Sequence, residues 1–234
     1  WTLEQRKEYL QWFVGANERS GGASYTGFLK NIQSEALANM SDDERKLLAG
    51  EVVFTPPKEE DLPKAAGPGK AWSLEEVLSL AGDGLSGRNF ENGQKMFAAA
   101  KCQSCHRFDG AGGSTGPDLS NVAGRFSNKD LAEAIIHPSK VISDQYRAMN
   151  IVTVNGQVLN GRVTNESGDE ITVLTDPVDA TKLVTLAKDD IDEMFPSKQS
   201  LMPEKLLNTL NREEVLDLLA FLKSRGNPNA IEFK

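Results

Sequence analysis

The sequence predicts a mainly α chain: a short helical segment over residues 1–55, a Pro/Gly-rich linker over 56–72, and a helical domain over 73–234 with a small antiparallel β subdomain inserted at about 146–187. Three observations predict this. Capping residues followed three positions later by Glu, Gln or Asp recur ahead of apolar residues at i, i+3, i+4 spacing, which is the grammar of amphipathic helices. Between about 146 and 187 that grammar gives way to short β-rich runs separated by turn residues. The stretch PPKEEDLPKAAGPGKAW, residues 56–72, has the composition of a linker.

Thr2 as N-cap with Gln5 opens the first helix, with Leu3, Leu10, Phe13 and Val14 along one face and Ser20-Gly21-Gly22 ending it. A second helix is expected from about Tyr25 to Met40 and a third from Ser41, whose capping box closes with Glu44. Trp1, Tyr9, Trp12, Phe13 and Phe28 are read as core, because aromatics at helical spacing bury apolar area. Ser73 with Glu76 starts a helix to about Leu80, which Gly82 to Gly87 breaks, and the next helix runs from about Asn89 to Ala100. In it Gly93 and Phe97 share a face on which another helix can cross closely. The expected partner is the last helix, capped by Asn211 with Glu214, striped by Val215, Leu218, Leu219 and Leu222, and stopped by Gly226 and Pro228.

The helix at 89–100 delivers the chain to Cys102-Gln103-Ser104-Cys105-His106. Thiols at i and i+3 lie one helical turn apart, so both can add to the vinyl groups of a single porphyrin. A histidine directly after the second thiol is carried under that ring as a proximal iron ligand. The spacing is that of a c-type haem attachment site. A structural zinc site would need four ligands, and the chain offers only Cys102, Cys105, His106 and His137, the adjacent pair being poorly placed for one tetrahedral ion. A thioredoxin-like pair would sit in a βαβ unit, absent here, and a plain disulfide leaves His106 without a role.

After the motif, the Gly-rich stretch Gly110 to Gly116 fits a backbone passing close to a flat cofactor, or an ordinary surface loop. Ser127 with Asp130 caps a helix carrying Leu131, Ala134 and Ile135 that ends near His137-Pro138. The runs RAMNIVTV, QVLNGRVT, EITVLT and KLVTL, with Asn155-Gly156 between the first two and a polar turn at Glu166 to Asp169, read as three or four antiparallel strands or a small open barrel.

Composition narrows the function further. With 39% hydrophobic residues the chain can bury an ordinary core, and a net charge of -8 excludes a general nucleic-acid binder. No run of 18 apolar residues could span a membrane. The chain opens at Trp1 without a signal peptide, yet haem attachment to such a motif takes place outside the cytoplasm, so an export signal is expected upstream in a longer parent. For the sixth iron position the candidates are His137 and Met40, Met96, Met149, Met194 and Met202. Met40 and Met96 read as core and Met149 as strand. Met202 stands in Ser200-Leu201-Met202-Pro203, an extended loop before the C-terminal helices, and is preferred over Met194 and His137.

These residues together resemble a class I cytochrome c: Gly93 and Phe97, the Cys102 to His106 motif, Gly116-Pro117-Asp118-Leu119, Met202-Pro203 and a final helix. More closely, the chain is similar to the haem-binding domain at the C-terminus of large bacterial membrane-bound dehydrogenase-like proteins. The likeness rests on Cys105-His106-Arg107-Phe108, Gly112-Gly113, His137-Pro138-Ser139, Asn155-Gly156 with Gly161, and Ser200-Leu201-Met202-Pro203 with Asp217-Leu218-Leu219-Ala220-Phe221-Leu222. The resemblance implies one covalent haem c, iron ligation by His106 and Met202, and a Pro117 carbonyl accepting the His106 N–H. It also implies Leu119 among the cofactor-binding residues and Arg125 at a haem propionate. It implies electron transfer rather than catalysis, with a redox partner protein or a dehydrogenase domain of the same polypeptide as donor, in the periplasm or another extracytoplasmic space. The competing expectations are a haem enzyme or gas sensor with a labile sixth ligand, and a recognition module built on the β insertion.

Overall fold

The structure, a computed structural model, describes residues 2–16, 29, 32, 33, 36, 37, 40, 41, 43, 44, 63–82 and 85–234. Helix α1, Leu3–Ala16, begins where Thr2 and Gln5 cap each other's backbone N–H, at 2.9 and 3.2 Å. Leu10, Phe13 and Ala16 are buried against Leu29 and Met40, and this apolar cluster is separate from the two that follow. Leu3 and Trp12, expected on the buried face, are about half exposed, Trp12 meeting Phe13 in an edge-type ring contact at 5.2 Å. Ser41 and Glu44 form the expected box. The stop at Ser20 to Gly22, and Trp1 and Phe28, lie outside the described residues.

Residues 63–72 have no regular secondary structure, but they are not a loose tether. The Ala66 N–H donates to the Glu214 carboxylate at 2.5 Å, the Gly67 carbonyl accepts from the Asn211 side chain at 3.1 Å, and the Trp72 indole N–H donates to the Leu210 carbonyl at 3.0 Å. This half of the predicted linker is a strap bound to the start of the last helix.

Helix α2, Leu74–Gly82, starts at the Ser73–Glu76 box, and α3, Phe90–Ala99, at Asn89, whose side chain accepts from the Asn92 N–H. Lys101 then takes a left-handed conformation, φ 61°, that breaks the helix direction before the single turn α4, Cys102–Cys105. Strands β1, Arg107–Phe108, and β2, Ala111–Gly112, pair across Asp109-Gly110, both at positive φ as a type I′ turn requires. Helix α5, Asn128–Ile136, has its Ser127–Asp130 box. It buries Leu131, Ala132 and Ile135, while Ala134, expected inside, faces solvent.

The sheet is larger than expected. Strands β3, Met149–Thr153; β4, Val158–Ser167; β5, Glu170–Leu174; β6, Leu183–Ala187; and β7, Ile191–Pro196, pair antiparallel in the order β6-β5-β4-β3-β7. The fifth strand extends the insertion to Pro196, so the chain combines six helices among the described residues with a substantial sheet and is not simply mainly α. β6 and β7 are the two edges, yet only Lys188–Asp190 separates them. Laid flat, five strands would put these edges about 19 Å apart. Four Cα steps reach at most roughly 14 Å. The sheet therefore curls into an open barrel, helped by register shifts in its β3–β7 and β4–β5 pairings, around Ile151, Ile171 and Val173.

The last helix, α6, Arg212–Lys223, is buried on every side from Glu214 to Leu222. It crosses α3 at Gly93, where a Cβ would lie 2.4 Å from the Asp217 carbonyl oxygen and 2.7 Å from Phe221 Cβ, so the predicted small-residue crossing is present. The buried Asp217 carboxylate accepts from the Asn89 N–H at 3.0 Å and from the Asn92 amide at 2.7 Å, tying the start of α3 to α6. Phe97, Phe108 and Phe221 meet at ring centroid distances of 4.7 to 5.9 Å in the same apolar core as Cys102.

Candidate functional site

The two thiols sit at the ends of one helical turn. Cys102 points into the main core and is buried, Cys105 is half-buried, and both are free cysteines. Burial pushes the Cys102 thiol up to about 12, so the sulfur is held protonated. The Cys105 thiol is also raised, first by burial, and also by the nearby Asp176 carboxylate, while a hydrogen bond with Thr115 acts in the other direction.

His106 ends the turn with its own N–H on the Cys102 carbonyl at 2.9 Å. Its Nδ1 lies 2.8 Å from the Pro117 carbonyl oxygen, which can only accept, so Nδ1 carries the proton and Nε2 keeps its lone pair. Burial lowers the imidazole pKa, which favours the neutral ring a metal needs. The Pro117 carbonyl is delivered by the β1–β2 hairpin, which folds residues 113–117 back over the motif. The Gly113 N–H donates to the Gln103 carbonyl and the Gly116 N–H to the Cys105 carbonyl, both at 2.8 Å. A Cβ on Gly116 would sit 2.9 Å from His106 Cε1, and one on Gly113 would sit 2.3 Å from the Ser104 carbonyl oxygen. These glycines serve the approach of the loop to the motif itself.

Met202 is half-buried and packs on the main core, the cluster that contains Cys102. Its loop is pinned in two steps: the Met202 N–H donates to the Ser200 hydroxyl and the Ser200 N–H to the Ser139 hydroxyl, both at 3.1 Å. Met40 and Met96 are buried core residues, as read from sequence, and Met149 lines the sheet interior. Met194 lies in β7 with its side chain about half exposed, and His137 is an exposed C-cap of α5. Leu119 packs half-buried on the main core and donates its N–H to the Arg107 carbonyl at 2.8 Å. Arg125 is exposed at the end of the short turn Val122–Gly124.

The β insertion also reaches this site, a contact not foreseen from the sequence. The carbonyl of Pro177, in the loop between β5 and β6, accepts from Cys105 Sγ at 3.3 Å and from the Thr115 hydroxyl at 2.5 Å. A contact between residues 62 and 72 positions apart leaves no periodic trace in sequence. The β1–β2 hairpin was legible: Asp109-Gly110 is a hairpin dipeptide, masked by the glycines that follow it.

The donor set suits a porphyrin better than a bare ion. Among the described residues no three His, Cys, Asp or Glu side chains converge as a metal ion alone would require. What the turn does offer is two free thiols one turn apart, followed by a neutral imidazole fixed through its second nitrogen. No described helix is long and apolar enough to cross a membrane. No curated protein matches the chain. Residues 90–156, less than a third of the chain, match the cytochrome c family, a span that holds the motif, Gly116-Pro117 and β3 but stops short of Met202. That span is a cytochrome c-like domain, and covalently bound haem c with its iron is the cofactor that goes with it.

Proposed function

We propose that this chain carries single electrons through a haem c bound as thioethers to Cys102 and Cys105, with iron held between His106 and Met202. Haem c supplies an iron that alternates between ferrous and ferric states. The observation that carries the reading is the His106–Pro117 hydrogen bond at 2.8 Å, since it aims Nε2 and raises its basicity as a second-sphere carbonyl does for a ligating imidazole. The Ser139–Ser200–Met202 chain of hydrogen bonds supports a fixed thioether, and a fixed sixth ligand leaves no place for oxygen or peroxide to react. Phe97, Phe108 and Phe221 share one apolar core with Cys102, with Leu119 packed against it, and would keep water from the thioether on that side. Pro117 and Leu119 would act on the cofactor through the backbone and the core, and the exposed Arg125 would pair a propionate. Electrons come from a redox partner or from a dehydrogenase domain of the same polypeptide, outside the cytoplasm.

The test is expression in a host that attaches haem c, followed by intact-mass measurement after denaturation. The reading requires a mass gain of one haem per wild-type chain and none when Cys102→Ala and Cys105→Ala are combined. A wild-type chain that stays free of covalent haem in that host would sink it.

A further inference from the structure

Every other feature of the motif is held by its own helical domain, but Cys105 is approached from outside it by the β5–β6 loop, residues 175–182. That loop is braced within itself. The Thr175 N–H donates to the Lys182 carbonyl at 3.0 Å, the Asp176 carboxylate accepts from the Val178 N–H at 2.9 Å, and the Asp179 carboxylate accepts from the Thr181 hydroxyl at 2.6 Å. It is also anchored, because the Pro177 carbonyl takes two donors from the motif side, Cys105 Sγ at 3.3 Å and the Thr115 hydroxyl at 2.5 Å. Once Cys105 is a thioether it has no proton to donate, and the Thr115 hydroxyl alone remains as the latch.

We propose that the β insertion sets the redox potential of the haem: its β5–β6 loop, latched by Thr115 on Pro177, holds the Asp176 carboxylate beside the haem edge at Cys105. This rests on the haem c reading above. Reduction adds one electron to ferric iron and lowers the charge of the centre by one. A fixed negative charge nearby favours the more positive ferric state, and so lowers the midpoint potential. Asp176 precedes the residue whose carbonyl touches the Cys105 sulfur, and its carboxylate is held in place by the Val178 N–H, so its charge is positioned rather than averaged over a mobile chain. Thr115 and Asp176 are positioning residues, and neither ligates the iron.

The test is a spectroelectrochemical titration of the haem-loaded protein. Asp176→Asn removes the charge and keeps the amide oxygen for the Val178 N–H. At an ambient potential near the wild-type midpoint, the ferrous-to-ferric ratio should rise at least about threefold, about 28 mV at 59 mV per tenfold for one electron. Glu166→Gln, in β4 opposite Ile171 near the other end of β5, removes the same charge and should leave the ratio nearly unchanged. In a Thr115→Val background, which frees the loop, the Asp176→Asn effect should shrink to less than half. Each variant is first scored for covalent haem and for its sulfur-to-iron charge-transfer band, so that a failure of the ligation scheme is seen separately. An unchanged ratio in Asp176→Asn, an equal shift in Glu166→Gln, or an undiminished shift in the Thr115→Val background would each overturn the proposal.

Discussion

Gly116 shows how one missing side chain fixes the chemistry of another residue. Its Cα lies against the His106 ring, so any Cβ would stand 2.9 to 3.0 Å from Cε1 and Nδ1, and the contact is with ring atoms that the Pro117 hydrogen bond holds in place. Gly116→Ala must therefore push the ring off Pro117 or move the loop, and should destabilise the haem-loaded protein by about 1–3 kcal/mol in denaturant titration. Gly82→Ala, where a Cβ meets nothing within 4 Å, should stay within about 0.5 kcal/mol of wild type. The motif residues were legible because Cys102, Cys105 and His106 are fixed by spacing alone. Thr115 and Pro177 were not, since a hydroxyl and a proline carbonyl carry no signal until the fold brings them together.

At the scale of elements, the helices were read well where a cap and a stripe agree. Ser73, Ser127 and Asn211 cap the helices expected of them, and Asn89, read only as the start of its helix, caps α3. β7 was missed because Ile191-Asp192-Glu193-Met194-Phe195-Pro196 has no alternation: Ile191 alone is half-buried and the next five are exposed. Its place is fixed by pairing with β3, a tertiary fact. The finished sheet is a unit whose two ends meet, the Ser197 N–H donating to the Ala148 carbonyl at 2.8 Å. Antiparallel neighbours of this kind lie about 5 Å apart at Cα, so a few Gly and Ser residues can replace 149–196. The excised protein should keep one covalent haem per chain and its helical circular dichroism, because the main apolar core takes no residue from β3 to β7. Failure to incorporate haem after excision would show that the sheet is needed to build the site rather than to adjust it.

For the whole molecule, three separate apolar clusters divide the work: one in the N-terminal helices, one behind the haem motif, and one inside the curled sheet. The middle cluster joins α2, α3, α5 and α6, contains Cys102 and has Met202 packed against it, so both proposed faces of the cofactor lean on one apolar core. An electron carrier needs that arrangement, because little movement between oxidation states keeps transfer fast, whereas a ligand-binding haem needs a sixth position that opens. The central claim is that Met202 closes that position, and the most direct measurement is the midpoint potential of Met202→Ala beside the wild type, with the near-infrared band from sulfur-to-iron charge transfer recorded on the same samples. Removal of the thioether should leave covalent haem content unchanged, abolish the band, and lower the potential by about 100 mV or more, given the wide range over which axial ligands set it. Persistence of the band and an unmoved potential in Met202→Ala would contradict the account and hand the sixth position to another residue.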